Sequence, residues 1–261
     1  EFGYTMKTRS PNLYQRYSWS TWTMAANMNN LYGDGNGYIG NINLKPETAH
    51  KIGFLIDHQS PNRDWMFKVN PFYSYINDYI DAENTSASRS DGYRNLKFHN
   101  HDVTIAGIDI AAKRKVFQNT SLGNYDLFAK FNYQRGRNLD NRTDLYNLMP
   151  ANLSLGLNHE KNNWKNSFVV KLVNKKDKVD TVRQERETSS FAVADFYTSY
   201  QLQSFEIVGS IENIFDRMHD NPLGGEYIGQ GATMSTGVSR VNGSQVPGIG
   251  RSINISIAYL F

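Results

Sequence analysis

The most regular feature of this chain is an alternation of apolar and polar positions, clearest in its last fifteen residues, Pro247 to Phe261. Ile253, Ile255, Ile257, Tyr259 and Phe261 fall on one side of an extended backbone, and Ser252, Asn254, Ser256, Ala258 and Leu260 on the other. The same period of two recurs upstream. A short strand over Phe2–Arg9 is closed by Ser10-Pro11. Further apolar faces are Ile52, Phe54 and Ile56, then Trp65, Phe67, Val69, Tyr73 and Tyr75, then Ala106, Ile108, Ile110 and Ala112. Tyr125 to Tyr133, Leu153 to Leu157, Phe168 to Leu172, Ala192 to Leu202 and Phe205 to Ile211 repeat the pattern. Pro71 interrupts one strand and predicts a bulge or a local loss of pairing, because proline has no N–H to give to the ladder.

The strands number roughly ten, each about 9 to 14 residues, enough for a tilted strand to cross a bilayer. Their connections alternate. Ser60 to Arg63, Thr120 to Gly123 and Lys161 to Asn163 are short turns. The stretches from about Asn12 to Lys45, Glu83 to Gly92, Gly136 to Asn147, Lys175 to Glu187 and Met218 to Val246 are long loops. The first loop has a composition that favours turns over any regular element. Short turns on one rim and long loops on the other are the mark of transmembrane barrels, with the short turns periplasmic. The expected fold class is therefore all-β, a transmembrane antiparallel β-barrel. Ile255, Leu155 and Phe131 should face lipid, and Ser256, Ser154 and Lys130 the interior. Asp109, Asp126, Lys171, Asp195, Glu206 and Glu212 join Lys130 on the polar side and predict a charge network along the inner wall.

Composition agrees with this picture. Apolar residues are 39% of the chain, aromatics 13%, and mean hydropathy is −0.59. No apolar run approaches the roughly 20 residues of a membrane-spanning helix. The formal net charge of +3 comes from scattered residues, with no basic cluster to suggest nucleic acid. There are no cysteines, hence no disulfide framework and no thiolate metal site. An unpaired strand edge in hydrocarbon strands backbone groups, so either these strands close alone or others precede them. The opening Glu1-Phe2-Gly3-Tyr4 reads as the inside of a strand rather than a signal peptide, and predicts that more chain comes before it.

Four motifs occur in order: Thr8-Arg9-Ser10-Pro11-Asn12-Leu13-Tyr14, Asn43-Leu44-Lys45-Pro46-Glu47-Thr48, Glu212-Asn213-Ile214-Phe215-Asp216-Arg217 and Pro247-Gly248-Ile249-Gly250-Arg251. With the terminal Phe261 they resemble the C-terminal half of the barrel of TonB-dependent outer-membrane receptors. That resemblance implies a barrel of about 22 strands plugged by an N-terminal domain. The chain would supply the last ten strands, and the plug and earlier strands would lie outside it. It also implies a Gram-negative outer membrane and a TonB-type inner-membrane complex that acts through the plug. A narrower resemblance, to the TonB-dependent copper receptors, rests on Tyr32 to Asn41, Asp78 to Asp81, Leu145 to Pro150 and Pro222 to Tyr227. It implies import of copper. A siderophore or other metal-chelate receptor shares the fold, and a passive diffusion porin or structural barrel shares the strand pattern.

Candidate metal ligands follow from residue type. Met24 and Met28 lie in the first long loop, with Met149, Met218 and Met234 near other loops on that rim. Thioether sulfur is a soft ligand suited to Cu(I), although methionine beside Trp19 and Trp22 also serves as flexible packing. His99 and His101, two apart on extended chain, share a face and could hold copper or zinc, or act as polar rim residues. Asp34-Gly35-Asn36-Gly37 spaces oxygens as calcium loops do, but it lacks the downstream glutamate and is an ordinary turn former. No Gly-x-Ser-x-Gly, phosphate loop or His-Glu-x-x-His is present, so no enzyme activity is expected.

Overall fold

The computed structural model describes residues 1–89, 92–228 and 243–259, apart from the side chains of 86–88. Phe261 and Met234 lie outside the described residues. The strands are β1 (Phe2–Arg9), β2 (Gly37–Ile39), β3 (Glu47–Phe54), β4 (Ile56–Gln59), β5 (Trp65–Ser88), β6 (Arg94–Thr120) and β7 (Gly123–Asn138). They continue as β8 (Asn152–Lys161), β9 (Trp164–Val173), β10 (Phe191–Leu202), β11 (Phe205–Glu212), β12 (Glu226–Tyr227), β13 (Ser244–Gln245) and β14 (Ser252–Tyr259). The helices α1 (Leu13–Tyr17) and α2 (Thr23–Asn29) lie between β1 and β2.

One antiparallel meander organises the chain, in the order β1-β3-β5-β6-β7-β8-β9-β10-β11-β14. These ten strands are the ones the alternation predicts. The apolar set shares one face because each register keeps it in step: Leu127 lies opposite Leu157, Phe196 opposite Phe168 and Ile207 opposite Ile257. That face is the open one, with Ile253, Ile255 and Ile257 at 68–77% exposure. The opposite face carries the expected charge network. Lys113 pairs with Asp126 at 2.8 Å, Lys171 with Asp195 at 2.7 Å, and Tyr197 donates to Glu212. There the aromatic rings also cover cross-strand glycines: Phe72 lies over Gly107 and Phe128 over Gly156.

Short turns gather at one rim, where Arg63, Asn162 and Gln203 take positive φ. Outward aromatic pairs sit just inside these turns. Trp164 meets Tyr200 at 4.7 Å and Phe205 meets Tyr259 at 4.9 Å, as an interfacial belt requires. Pro71 acts as a loss of pairing. β3 and β4 are one strand in unbroken register, interrupted opposite Pro71 and Asn70.

Two expectations are corrected. The first long loop is not free of regular structure. Asn12 caps α1 through a box in which its Oδ1 accepts from Gln15 N and Gln15 Oε1 accepts from Asn12 N, and β2 pairs in parallel with β6. The stretch Glu83 to Gly92 is mostly not a loop. β5 and β6 run 24 and 27 residues, pairing as far as Ser88 with Arg94, because the outer hairpin has a core of its own. Tyr38, Leu44, Ile80, Ala82, Leu96 and Phe98 form that core, with Tyr38 stacked on Phe98 at 5.2 Å.

Candidate functional site

Above the sheet, the long loops fold onto the β5–β6 hairpin and meet at Arg183, whose side chain is buried. Its Nη2 donates to Asp81 Oδ1 at 3.1 Å and its Nη1 to the Tyr38 hydroxyl. Asp34 lies 3.6 Å away and Asp180 3.3 Å away. The guanidinium also rests on the rings of Tyr32, Tyr38 and Tyr146, at 4.6, 5.4 and 5.2 Å. Burial disfavours its charge, but Tyr38, Asp81, Asp34 and Asp180 around it hold its pKa well above the ordinary arginine value. Three carboxylates around one cation leave acid in excess by two. Burial, reinforced by Asp81, pushes Asp180 up to about 7, against the pull of Arg183 and of the amides of Val182 and Arg183. Burial likewise pushes the Tyr38 phenol well up, so it stays protonated.

A second ring of contacts locks the same loops. Lys176 Nζ pairs with Glu185 at 2.5 Å and donates to the Pro222 carbonyl at 2.7 Å. Tyr146 donates to the Tyr32 carbonyl, Glu226 N to the Gly33 carbonyl, and Arg186 pairs with Glu226 at 3.0 Å. Four stretches that are far apart in sequence, around Tyr32 to Asn41, Asp81, Tyr146 and Pro222 to Tyr227, thus converge on one junction. Asp34 serves this junction rather than a cation loop. It accepts from Asn36 N and from the Tyr38 hydroxyl and faces Arg183.

The metal candidates occupy two other places. Met24 and Met28 stand one turn apart on α2 and are exposed, at 52% and 78%, as are Trp19 and Trp22 nearby. Met218 is exposed as well, while Met149 lines a cavity with Leu145 and Leu148. His99 and His101 are on β6, opposite Asp81 and Tyr79. Both turn Nε2 toward one carboxylate, Glu83, at 3.8 Å and 3.3 Å, and His101 Nδ1 lies 3.3 Å from Asp140. His101 is buried, and its Nε2, although close to Glu83, is not aligned for a hydrogen bond. Among the described residues no group of three or more His, Asp or Glu is spaced as a ready-made metal centre. Each pair therefore offers two donors and no closed cage.

Sequence reasoning missed Arg183, Asp180 and Lys176. Asp180 and Arg183 form a local pair, but the other partners of Arg183 lie 102 and 145 residues away, beyond the reach of a local pattern.

Comparison with known proteins gives a consistent answer. A family model described as TonB dependent receptor-like, beta-barrel matches residues 2–214. Among solved structures, the copper transporter OprC shares 16% identity and a TM-score of 0.77, over 100% of this chain and 37% of that one. The siderophore receptor PirA from Acinetobacter baumannii gives 15% and 0.65, over 100% and 38%. The pyoverdine outer membrane receptor FpvA from Pseudomonas aeruginosa gives 11% and 0.62, over 99% and 33%. At such identities the likeness is one of fold, and the chain spans little more than a third of these proteins. No curated protein matches it in sequence.

Proposed function

This chain belongs to the TonB-dependent receptor β-barrel family, and from that premise we propose that its receptor imports a scarce metal or metal chelate, with copper as the cargo. The family resides in the outer membrane of Gram-negative bacteria and consists of transporters rather than enzymes, which sets aside the passive porin and the structural barrel. The copper reading is carried by one observation, the exposed Met24–Met28 pair on α2. Two thioethers one helical turn apart, open to solvent, suit Cu(I), which prefers soft sulfur and low coordination number. His99 and His101, with Glu83 between them, offer a second pair of donors on the hairpin. Cargo must be released as well as bound, and two-donor sites suit transfer better than a closed cage. Energy would come from a TonB-type inner-membrane complex acting through a plug that this sequence does not contain.

A siderophore or other chelate is the second reading, favoured by the exposed aromatic surface of Tyr14, Tyr17, Trp19 and Trp22 on the same segment. Metal analysis of the receptor purified from copper-supplemented cells decides between them. Bound copper is expected, and an organic iron chelate in its place would overturn the copper reading.

A further inference from the structure

The outward wall near the short-turn rim carries an apolar cavity of about 610 Å³. Its floor is Ala112 and Ala129, opposite each other across β6 and β7. Trp65 and Phe67 form one side, their rings 2° from parallel, and Leu155 and Phe168 form the other. Arg114 closes the end nearest the rim. It lies in register with Leu127 and with Trp65, the first residue of β5 after the Ser60 turn.

Arg114 differs from its neighbours in charge pairing. Lys113 and Lys115, on the inner face, pair with Asp126 at 2.8 Å and with Asp64 at 3.9 Å. Arg114 points outward among apolar side chains and is exposed, and among the described residues no carboxylate or carbonyl partners it. On a lipid-facing wall such a cation is costly near the midplane, about 2–4 kcal/mol, and tolerated at the interface. Its planar fork matches a phosphate. The tryptophan beside it is the residue type that anchors at headgroup level.

We propose that this cavity binds one anionic phospholipid of the periplasmic leaflet, an acyl chain lying over Ala112 and Ala129 and its phosphate accepting hydrogen bonds from Arg114. The proposal rests on the membrane placement given by the family, which is tested separately by whether the protein needs detergent to stay in solution. The test is native mass spectrometry of the full-length receptor in detergent, after incubation with equal amounts of phosphatidylglycerol and phosphatidylcholine. Wild type is expected to retain phosphatidylglycerol in preference. R114Q should lower that preference about tenfold, because both lipids offer a phosphate but only the net anionic one leaves the arginine's charge unopposed by a choline cation. A129W, which fills the floor and keeps the arginine, should abolish retention. Equal retention of the two lipids by wild type, or a preference that survives either substitution, overturns the proposal.

Discussion

Arg183 and Asp81, 102 residues apart in the chain, are joined through Nη2 and Oδ1 at 3.1 Å in the buried junction of the outer loops. The contact ties the β9–β10 loop to the β5–β6 hairpin, and Tyr32, Gly33 and Lys176 hold the Tyr146 and Pro222 to Tyr227 stretches to the same cap of outer loops. Replacing Arg183 with methionine keeps much of the bulk and leaves Asp34, Asp81 and Asp180 without their cation. Removing one partner of a buried charge cluster costs about 3–5 kcal/mol. Hydrogen exchange should show residues 30–40 and 175–187 losing protection, while the strands β7 to β11 keep theirs. Unchanged protection in those loops would show that the aromatic packing alone holds them.

Asp180 gives the cap an unusual pH dependence. Its pKa is raised from 3.8 to about 7, chiefly by burial. Between those values the folded chain holds a proton that the unfolded chain has released, so this group stabilises the cap as pH falls from 7 toward 4 and contributes least above 7. Loop protection, corrected for intrinsic exchange rates, should therefore rise from pH 8 to pH 5.5. D180N should flatten that slope and protect the loop better at pH 8.

Gly107 permits Phe72 to lie across the inner wall. A Cβ there would come within 2.6 Å of both the Phe72 ring and the Tyr133 carbonyl oxygen. G107A should lower the stability of the barrel in detergent by about 1–3 kcal/mol, as overpacking does. At Gly209 the nearest atom would be 3.4 Å from a new Cβ, so G209A should be close to neutral in the same thermal unfolding measurement.

The paired substitution M24L/M28L keeps the apolar character of α2 and removes both sulfurs. Copper uptake by cells at limiting copper should fall, with receptor abundance unchanged, while uptake at high copper should recover. If uptake at limiting copper is unaltered, the two residues do not act as ligands.

The wall of this molecule was legible in the sequence because each of its strands needs only one apolar face, and that need writes a period of two into Ile253, Ile255 and Ile257 as plainly as into Leu153, Leu155 and Leu157. Local chemistry also marked the turns at Ser60 and Asn162. The cap was less legible. The Asn12 to Gln15 capping box was a readable signal for α1, but five- and seven-residue helices bury too little to show a clear 3.6 period. Glu83 to Gly92 is polar and reads as a loop, yet Tyr38 and Leu44, brought from the first loop, complete the core that keeps the hairpin paired. The role of Arg183 has no local pattern, since Asp34, Tyr38 and Asp81 reach it from other loops and strands.

The length of β5 and β6 carries a further consequence. A tilted strand needs about 9–11 residues to pass through hydrocarbon, and these two have 24 and 27. What stands above the lipid is a paired ladder rather than a tangle, with β2 and the β9–β10 loop packed on it. Such an arrangement separates the outer loops from the wall that crosses the membrane. A change in the segments packed on the ladder leaves the staves below in alignment.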